Sequence, residues 1–169
     1  MSATATIRVG ACLLATAGLA LLSGTVSAGA AEQMLHFKLV THGPIGGPGK
    51  LPEVAGHTVT AGEYFGVAML DDGRVAMKRF VDVSDDTADA GSFKGYSTYT
   101  FQNGDALTLS YTGGWDAKGA GGDYTVVSGT GAFSGATGTG KFTALDTKWD
   151  SSTFLYDVSI KLTAPAKTQ

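Results

Sequence analysis

Residues 135–142 read GATGTGKF and fit G-x-x-x-x-G-K, the glycine loop that cradles phosphates. That loop needs a Ser or Thr next, whose hydroxyl holds magnesium, and then a helix whose N-terminus faces the phosphates. Here the next residue is Phe142, and Phe142-Thr143-Ala144-Leu145 has the β-branched and aromatic content of a strand. The dinucleotide pattern fails as well: Gly129 and Gly131 fit, but Ser134 stands at the third glycine position. Nucleotide binding is therefore not expected, and these glycines read as turn and bulge residues that let strands approach closely.

The other chemistry-bearing residues are sparse. His36 and His42 are six apart, which on a strand puts them on one side about 20 Å apart, too far to share a zinc ion. His57 sits in a Pro/Gly-rich stretch. No metal site and no cofactor is expected, and no catalytic triad assembles. The carboxylates cluster only at Asp71-Asp72 and from Asp82 to Asp89. The second group lacks the spacing of a calcium loop and reads as a solvated loop. Glu63 falls at a strand mouth, where a carboxylate steers a ligand or acts as a base, or is simply an exposed strand-end acid. The aromatic residues Tyr64, Tyr96, Tyr99, Tyr111, Trp115 and Tyr156 are the ligand-binding candidates. Each offers a large apolar body with one polar handle, suited to a small-molecule cavity. Equally, they fill a core or pack an interface. Trp149, before the last strand, caps an opening or packs on the surface.

These residues need elements to hold them, and the elements are strands. Turn signals separate short β-type runs at residues 34–41, 63–70, 74–83, 92–101, 106–112, 123–128, 137–145 and 153–162. Asp72-Gly73 and Asn103-Gly104 are hairpin turns. Residues 42–62 and the Gly-rich residues 113–122 read as loops. Leu107, Leu109, Tyr111 and Trp115 share one face of their strand; Phe154, Tyr156, Val158, Ile160 and Leu162 share one face of the last. Eight antiparallel strands with one apolar face need closure into a barrel or a second sheet to hide their edges. Alternation alone admits a barrel or a sandwich equally. A barrel of this size is side-chain filled or holds one small ligand.

The chain has 169 residues and a net charge of −3. Residues 1–30 have the order of a secretory signal: Arg8 as the only charge before Glu32, an apolar run over residues 11–22, then Val26-Ser27-Ala28 and Ala28-Gly29-Ala30 as cleavage sites. The expectation is an exported protein, periplasmic or secreted, with residues 31–169 as a single β-barrel domain. The apolar run is too short to span a bilayer, so no stable membrane insertion is expected. The single cysteine, Cys12, lies inside the signal, leaving stability to a core rather than to disulfides. With no basic patch, nucleic acid is an unsuitable partner.

A family resemblance chooses between barrel and sandwich. Tyr96-Ser97-Thr98-Tyr99-Thr100-Phe101, Asn103-Gly104-Asp105 and Leu107-Thr108-Leu109 resemble the central hairpin of the allene oxide cyclase barrel. Residues 126–136, reading VVSGTGAFSGA, resemble that family's V-x-G-G-[ST]-G-x-F-x-x-A segment, which dirigent proteins carry in a close version. Residues 154–158, FLYDV, resemble its last aromatic strand. The likeness covers residues 94–162 and implies an all-β fold, an eight-stranded antiparallel barrel of the allene oxide cyclase/dirigent type, calycin-like in shape. It implies a barrel that encloses a reactive small molecule and acts by positioning it. The family's catalytic Glu and Asn align with Phe37 and Lys38, and Asp71-Asp72 matches the dirigent acids only superficially, so the resemblance transfers no catalytic residue.

Three functions fit: an exported barrel binding a small apolar or aromatic molecule, which is the favoured reading; a cyclase or isomerase of allene oxide cyclase or spirotetronate cyclase type; and a packed structural or interaction barrel with an apolar outer patch. A homodimer or homotrimer is compatible with all three.

Overall fold

The structure, a computed structural model, describes residues 30–43, 49–50 and 54–164. The expected export signal, Cys12 included, lies outside the described residues. The strands are β1 (Ala31–His42), β2 (Gly49–Lys50), β3 (Thr58–Leu70), β4 (Val75–Asp86), β5 (Gly91–Phe101), β6 (Ala106–Asp116), β7 (Gly119–Gly129), β8 (Thr137–Leu145) and β9 (Thr153–Ala164). Eight of these run β1-β9-β8-β7-β6-β5-β4-β3, each antiparallel to its neighbour. The ring closes where β1 also pairs with β3, from Phe37↔Leu70 to His42↔Phe65. The expected barrel is therefore what forms. β2 covers the part of the β3 edge beyond β1 (Gly49↔Ala61, Lys50↔Thr60).

Closure sorts each strand by its two-residue period. Leu35, Phe37 and Leu39 point inward from β1, Leu107, Leu109 and Tyr111 from β6, and Val158, Ile160 and Leu162 from β9, all buried. The Asp72-Gly73 and Asn103-Gly104 turns form as expected, with Gly73 and Gly104 both at φ 86°, where glycine carries no Cβ penalty.

The two ends of the barrel differ. After β7 the glycine-rich segment makes one 3-10 turn (Gly131–Phe133) that places Phe133 across the barrel end, fully buried. Its ring lies 4.9 Å from that of Phe101. Thr130 ties this turn to β6: its N–H donates to the Ala106 carbonyl at 2.8 Å and its Oγ1 accepts from the Ala106 N–H at 3.0 Å. The plug directly precedes the residues 135–142 that mimic a phosphate loop, and from Thr137 these run on as β8. Among the described residues the opposite end has no such plug.

Three expected boundaries change. Residues 113–122, read as a loop, are the paired ends of β6 and β7, with register Gly113↔Gly122 and Trp115↔Ala120. Gly113 and Gly122 look inward and make room for rings. A Cβ on Gly113 would lie 2.4 Å from the Phe93 ring, and one on Gly122 would lie 2.6 Å from Phe142. Residues 82–86, read as the start of a solvated loop, continue β4, paired as Asp82↔Gly95 and Asp86↔Gly91. β3 starts at Thr58 rather than residue 63, because Thr58 and Val59 extend the ladder opposite Asp86 and Asp85.

Replacing Gly113 by Ala should destabilise the barrel by about 1–3 kcal/mol, since Phe93 or the Gly121 carbonyl must give way. The exposed neighbouring change Thr112→Ala should stay within about 0.5 kcal/mol. Paired denaturant melts with a common m-value measure the difference.

Candidate functional site

The unplugged end opens into a cavity of about 400 Å³. His42, Gly43, Trp115, Ala120 and Phe154 lie toward its rim, where their strands end. Deeper in, its walls are rings in mutual contact. Tyr64 stacks on Phe80 at 5.0 Å, Phe80 meets Tyr111 edge-on at 6.3 Å, Tyr124 lies 4.8 Å from Phe142, and Phe142 meets Tyr156 at 5.8 Å. Such edge and offset contacts fix ring orientation as well as filling space.

One side chain breaks the apolar character of the floor. Lys78 points inward from β4 and is only 4 % exposed. Its Nζ donates to Tyr124 Oη at 3.0 Å. It sits 4.1 Å from the centre of the Phe80 ring and 5.5–5.6 Å from those of Tyr99, Tyr111 and Tyr124. Among the described residues it has no ion-pair partner, whereas Lys38, Lys141 and Lys161 each pair with a carboxylate on the outer face. Burial without a counter-charge disfavours the ammonium and lowers its pKa from 10.5 to about 7; the field of Asp82 opposes this only in part.

Asp82 lies four residues along the same inward row of β4. Burial raises its pKa, against the hydrogen bond from Tyr111 and the charge of Lys78. Tyr111 Oη lies 2.8 Å from both Asp82 Oδ1 and the Val81 carbonyl. One phenol proton cannot serve two acceptors. Tyr111 therefore donates to one of them at a time, and its bond to Asp82 works against the upward shift that burial imposes on that carboxyl. Gly95 makes the contact sterically allowed, since a Cβ there would lie 2.6 Å from Tyr111 Oη. Burial likewise raises Tyr111 and Tyr124 above the usual phenol range, and pushes Tyr156 up to about 12. Nearer the mouth, Trp115 Nε1 donates to Asp86 Oδ1 at 2.7 Å, and Ser84 Oγ donates to Asp86 Oδ2 at 2.9 Å.

Of the sequence candidates, Tyr64, Tyr111, Trp115 and Tyr156 converge on the cavity. Tyr99 lies behind the floor, buried, with its hydroxyl 3.1 Å from that of Tyr124. Tyr96 is on the outer surface, 57 % exposed: three residues from Tyr99, it must take the opposite face. Glu63 is also outside, its Oε1 accepting from Arg79 Nε at 2.7 Å, and so reaches no ligand in the barrel. His36 bonds Asp71 at 2.5 Å and Asp157 at 3.0 Å, His42 bonds Thr153 at 2.8 Å, and His57 bonds Asp85 at 2.7 Å. Asp71 and Asp72 lie at the β3–β4 turn, paired with His36 and Arg74, away from the cavity. At the two positions aligned with the family's catalytic residues, Phe37 is packed in the core and Lys38 bonds Asp157 on the outer face.

Sequence reasoning missed Lys78, Asp82 and Asp86. The signal was the spacing Lys78, Phe80, Asp82, Ser84, Asp86, but the alternate row Met77, Val81, Val83 is the more apolar and looks like the core face. It is in fact exposed, together with Val67 and Met69 of β3, as an apolar patch on the outer wall.

The buried amine makes a linkage prediction. The unfolded chain binds a proton at Lys78 between pH 10.5 and about 7 that the folded chain does not. The penalty is therefore complete below about pH 7 and absent above 10.5. Lys78→Met should stabilise the protein by about 4 kcal/mol at neutral pH, and the gain should shrink toward zero as pH approaches 10. Denaturation of both proteins across that range checks it.

No family model matches the chain, and no curated protein sequence does. Solved structures do. The pterocarpan synthase dirigent protein GePTS1 superposes with a TM-score of 0.57 at 16 % identity, over 81 % of this chain and 92 % of that one. The pterocarpan synthase dirigent protein PsPTS1 gives 0.53 at 17 % identity, over 79 % and 96 %. The fold is the eight-stranded dirigent-type barrel that the hairpin, glycine segment and last strand resemble.

Proposed function

We propose that this barrel binds a small, largely aromatic or apolar molecule that carries a polar group at one end. The observation that carries the reading is the cavity itself: open at one pole, walled by Phe80, Tyr111, Phe142 and Tyr156, and floored by Lys78. Its volume of about 400 Å³ lies in the range of small-molecule sites. The apolar body of a ligand would lie against the rings while its polar group meets the amine or the Asp82–Tyr111 pair. The signal-like residues 1–30 support a role outside the cytoplasm, periplasmic or secreted. The exposed Met77, Val81 and Val83 face supports a homodimer or homotrimer as the working form.

One observation favours a second, catalytic reading as a cyclase or isomerase. Buried groups with shifted protonation, Lys78, Asp82 and Tyr111, gather in one cleft, which is the pattern of sites that move protons. That two barrels of this fold are named pterocarpan synthases is consistent with it.

Native mass spectrometry of protein from its own host should show a retained molecule of small mass. A saturating ligand at about 100 times its Kd should add about 2.7 kcal/mol of stability. Ala120→Phe, which adds a ring to the cavity wall, should abolish both effects while leaving the circular dichroism unchanged. An apo mass and no thermal shift with any aromatic compound would contradict the binding reading. For assembly, Met77→Lys with Val81→Lys should convert an oligomer to monomer in sedimentation.

A further inference from the structure

Lys78 carries its amine into the buried interior of the barrel. Its amine is fixed from one side by Tyr124 Oη at 3.0 Å and flanked by the Phe80 ring at 4.1 Å. It lines the cavity and has no carboxylate partner among the described residues. An amine held this way keeps its lone pair, because apolar walls oppose protonation; this is how a desolvated lysine becomes a nucleophile. A carboxylate or phosphate ligand would have to enter past Asp86 and Asp82, which line the same wall, so the approach disfavours anions. A neutral electrophile meets no such barrier.

We propose that Lys78 captures an aldehyde on a flat, aromatic or conjugated body as an imine. The inference rests on the ligand-binding reading above and names the chemistry of its polar end. The Nζ lone pair attacks the carbonyl carbon. A C–N bond forms, and the carbonyl π pair moves to oxygen, which takes a proton. Nζ gives up its first proton as the oxygen becomes a hydroxyl; that hydroxyl takes a second proton and leaves as water while the nitrogen lone pair forms C=N, and Nζ gives up its last proton. The balance is amine plus aldehyde to imine plus water, with no oxidant or reductant. The Tyr111 phenol, which lines the same cavity and is hydrogen-bonded to Asp82, relays protons between nitrogen and oxygen, so none is consumed overall. The titratable and charged groups around the amine are Asp82 and Asp86 of β4, Tyr64 of β3, Tyr99 of β5, Tyr111 of β6, Tyr124 of β7 and Tyr156 of β9. A pKa of about 7 leaves roughly half of the amine nucleophilic at neutral pH.

Cinnamaldehyde with sodium cyanoborohydride at pH 7 tests this, with cinnamyl alcohol as the carbonyl-free control. Intact mass and peptide mapping should find a single reduced adduct on Lys78, forming roughly tenfold or more faster than adducts on the outer lysines. It should vanish in Lys78→Met and in Lys78→Arg, both checked for folding by circular dichroism. Because mapping on the native protein locates the adduct, the result does not depend on either variant folding. Adducts spread over the exposed lysines, with Lys78 unmodified, would overturn the proposal. If cinnamyl alcohol raises the melting temperature but the aldehyde leaves no adduct on Lys78, the carbonyl chemistry is wrong and the binding reading stands. If neither compound shifts the melt and no adduct forms on Lys78, both are wrong.

Discussion

The desolvation of one amine sets the terms for the interior. Lys78 is withdrawn from water and given ring faces and a phenol in place of a counter-ion. Quadrupole attraction to aromatic faces returns part of the lost hydration, but not enough to hold the amine in its ordinary charged range. A loss of several kcal/mol is a large fraction of the stability of a domain this size. The rest of the structure must exceed it, and it must also stop Lys78 from swinging out to solvent.

Closure does both. Because β1 pairs with β9 on one side and β3 on the other, the sheet has almost no free edge, and the inward row of β4 has no alternative face. The core residues Leu39, Leu109, Val158 and Ile160 then supply apolar burial around the floor. Phe133 and Phe101 pack together across the barrel end below it. Inward glycines belong to the same arrangement. Gly95, Gly113 and Gly122 remove Cβ atoms where Tyr111, Phe93 and Phe142 need space, which lets a narrow barrel hold many rings and still leave a cavity.

Much of this architecture was legible, and the exceptions have physical causes. The alternation of Leu107, Leu109 and Tyr111, and of Phe154 through Leu162, fixed two inward faces, and Asp72-Gly73 and Asn103-Gly104 fixed two hairpins. Alternation does not say how a sheet closes, so barrel over sandwich came from the resemblance. The Gly-rich residues 113–122 looked like a loop because glycine has low strand propensity; only the neighbouring rings explain why they must be strand. β4 misled more deeply. Its apolar row faces outward, and its inward row carries a lysine and two aspartates, so local hydrophobicity points the wrong way. What fixes its facing is the register with β3, where buried Ala68 sits opposite buried Ala76. The site was half visible through its tyrosines. The charged residues that give it chemistry could be placed only by that pairing.

The most direct test is a titration of the Lys78 amine by NMR, following the lysine side-chain Cε and Nζ resonances with Lys78 assigned by substitution. A midpoint near pH 7, well separated from the other lysines, is what a desolvated amine at the floor of an aromatic barrel requires. A midpoint near 10.5, among the surface lysines, would mean that the amine is solvated or paired, and the account of the cavity floor would be wrong.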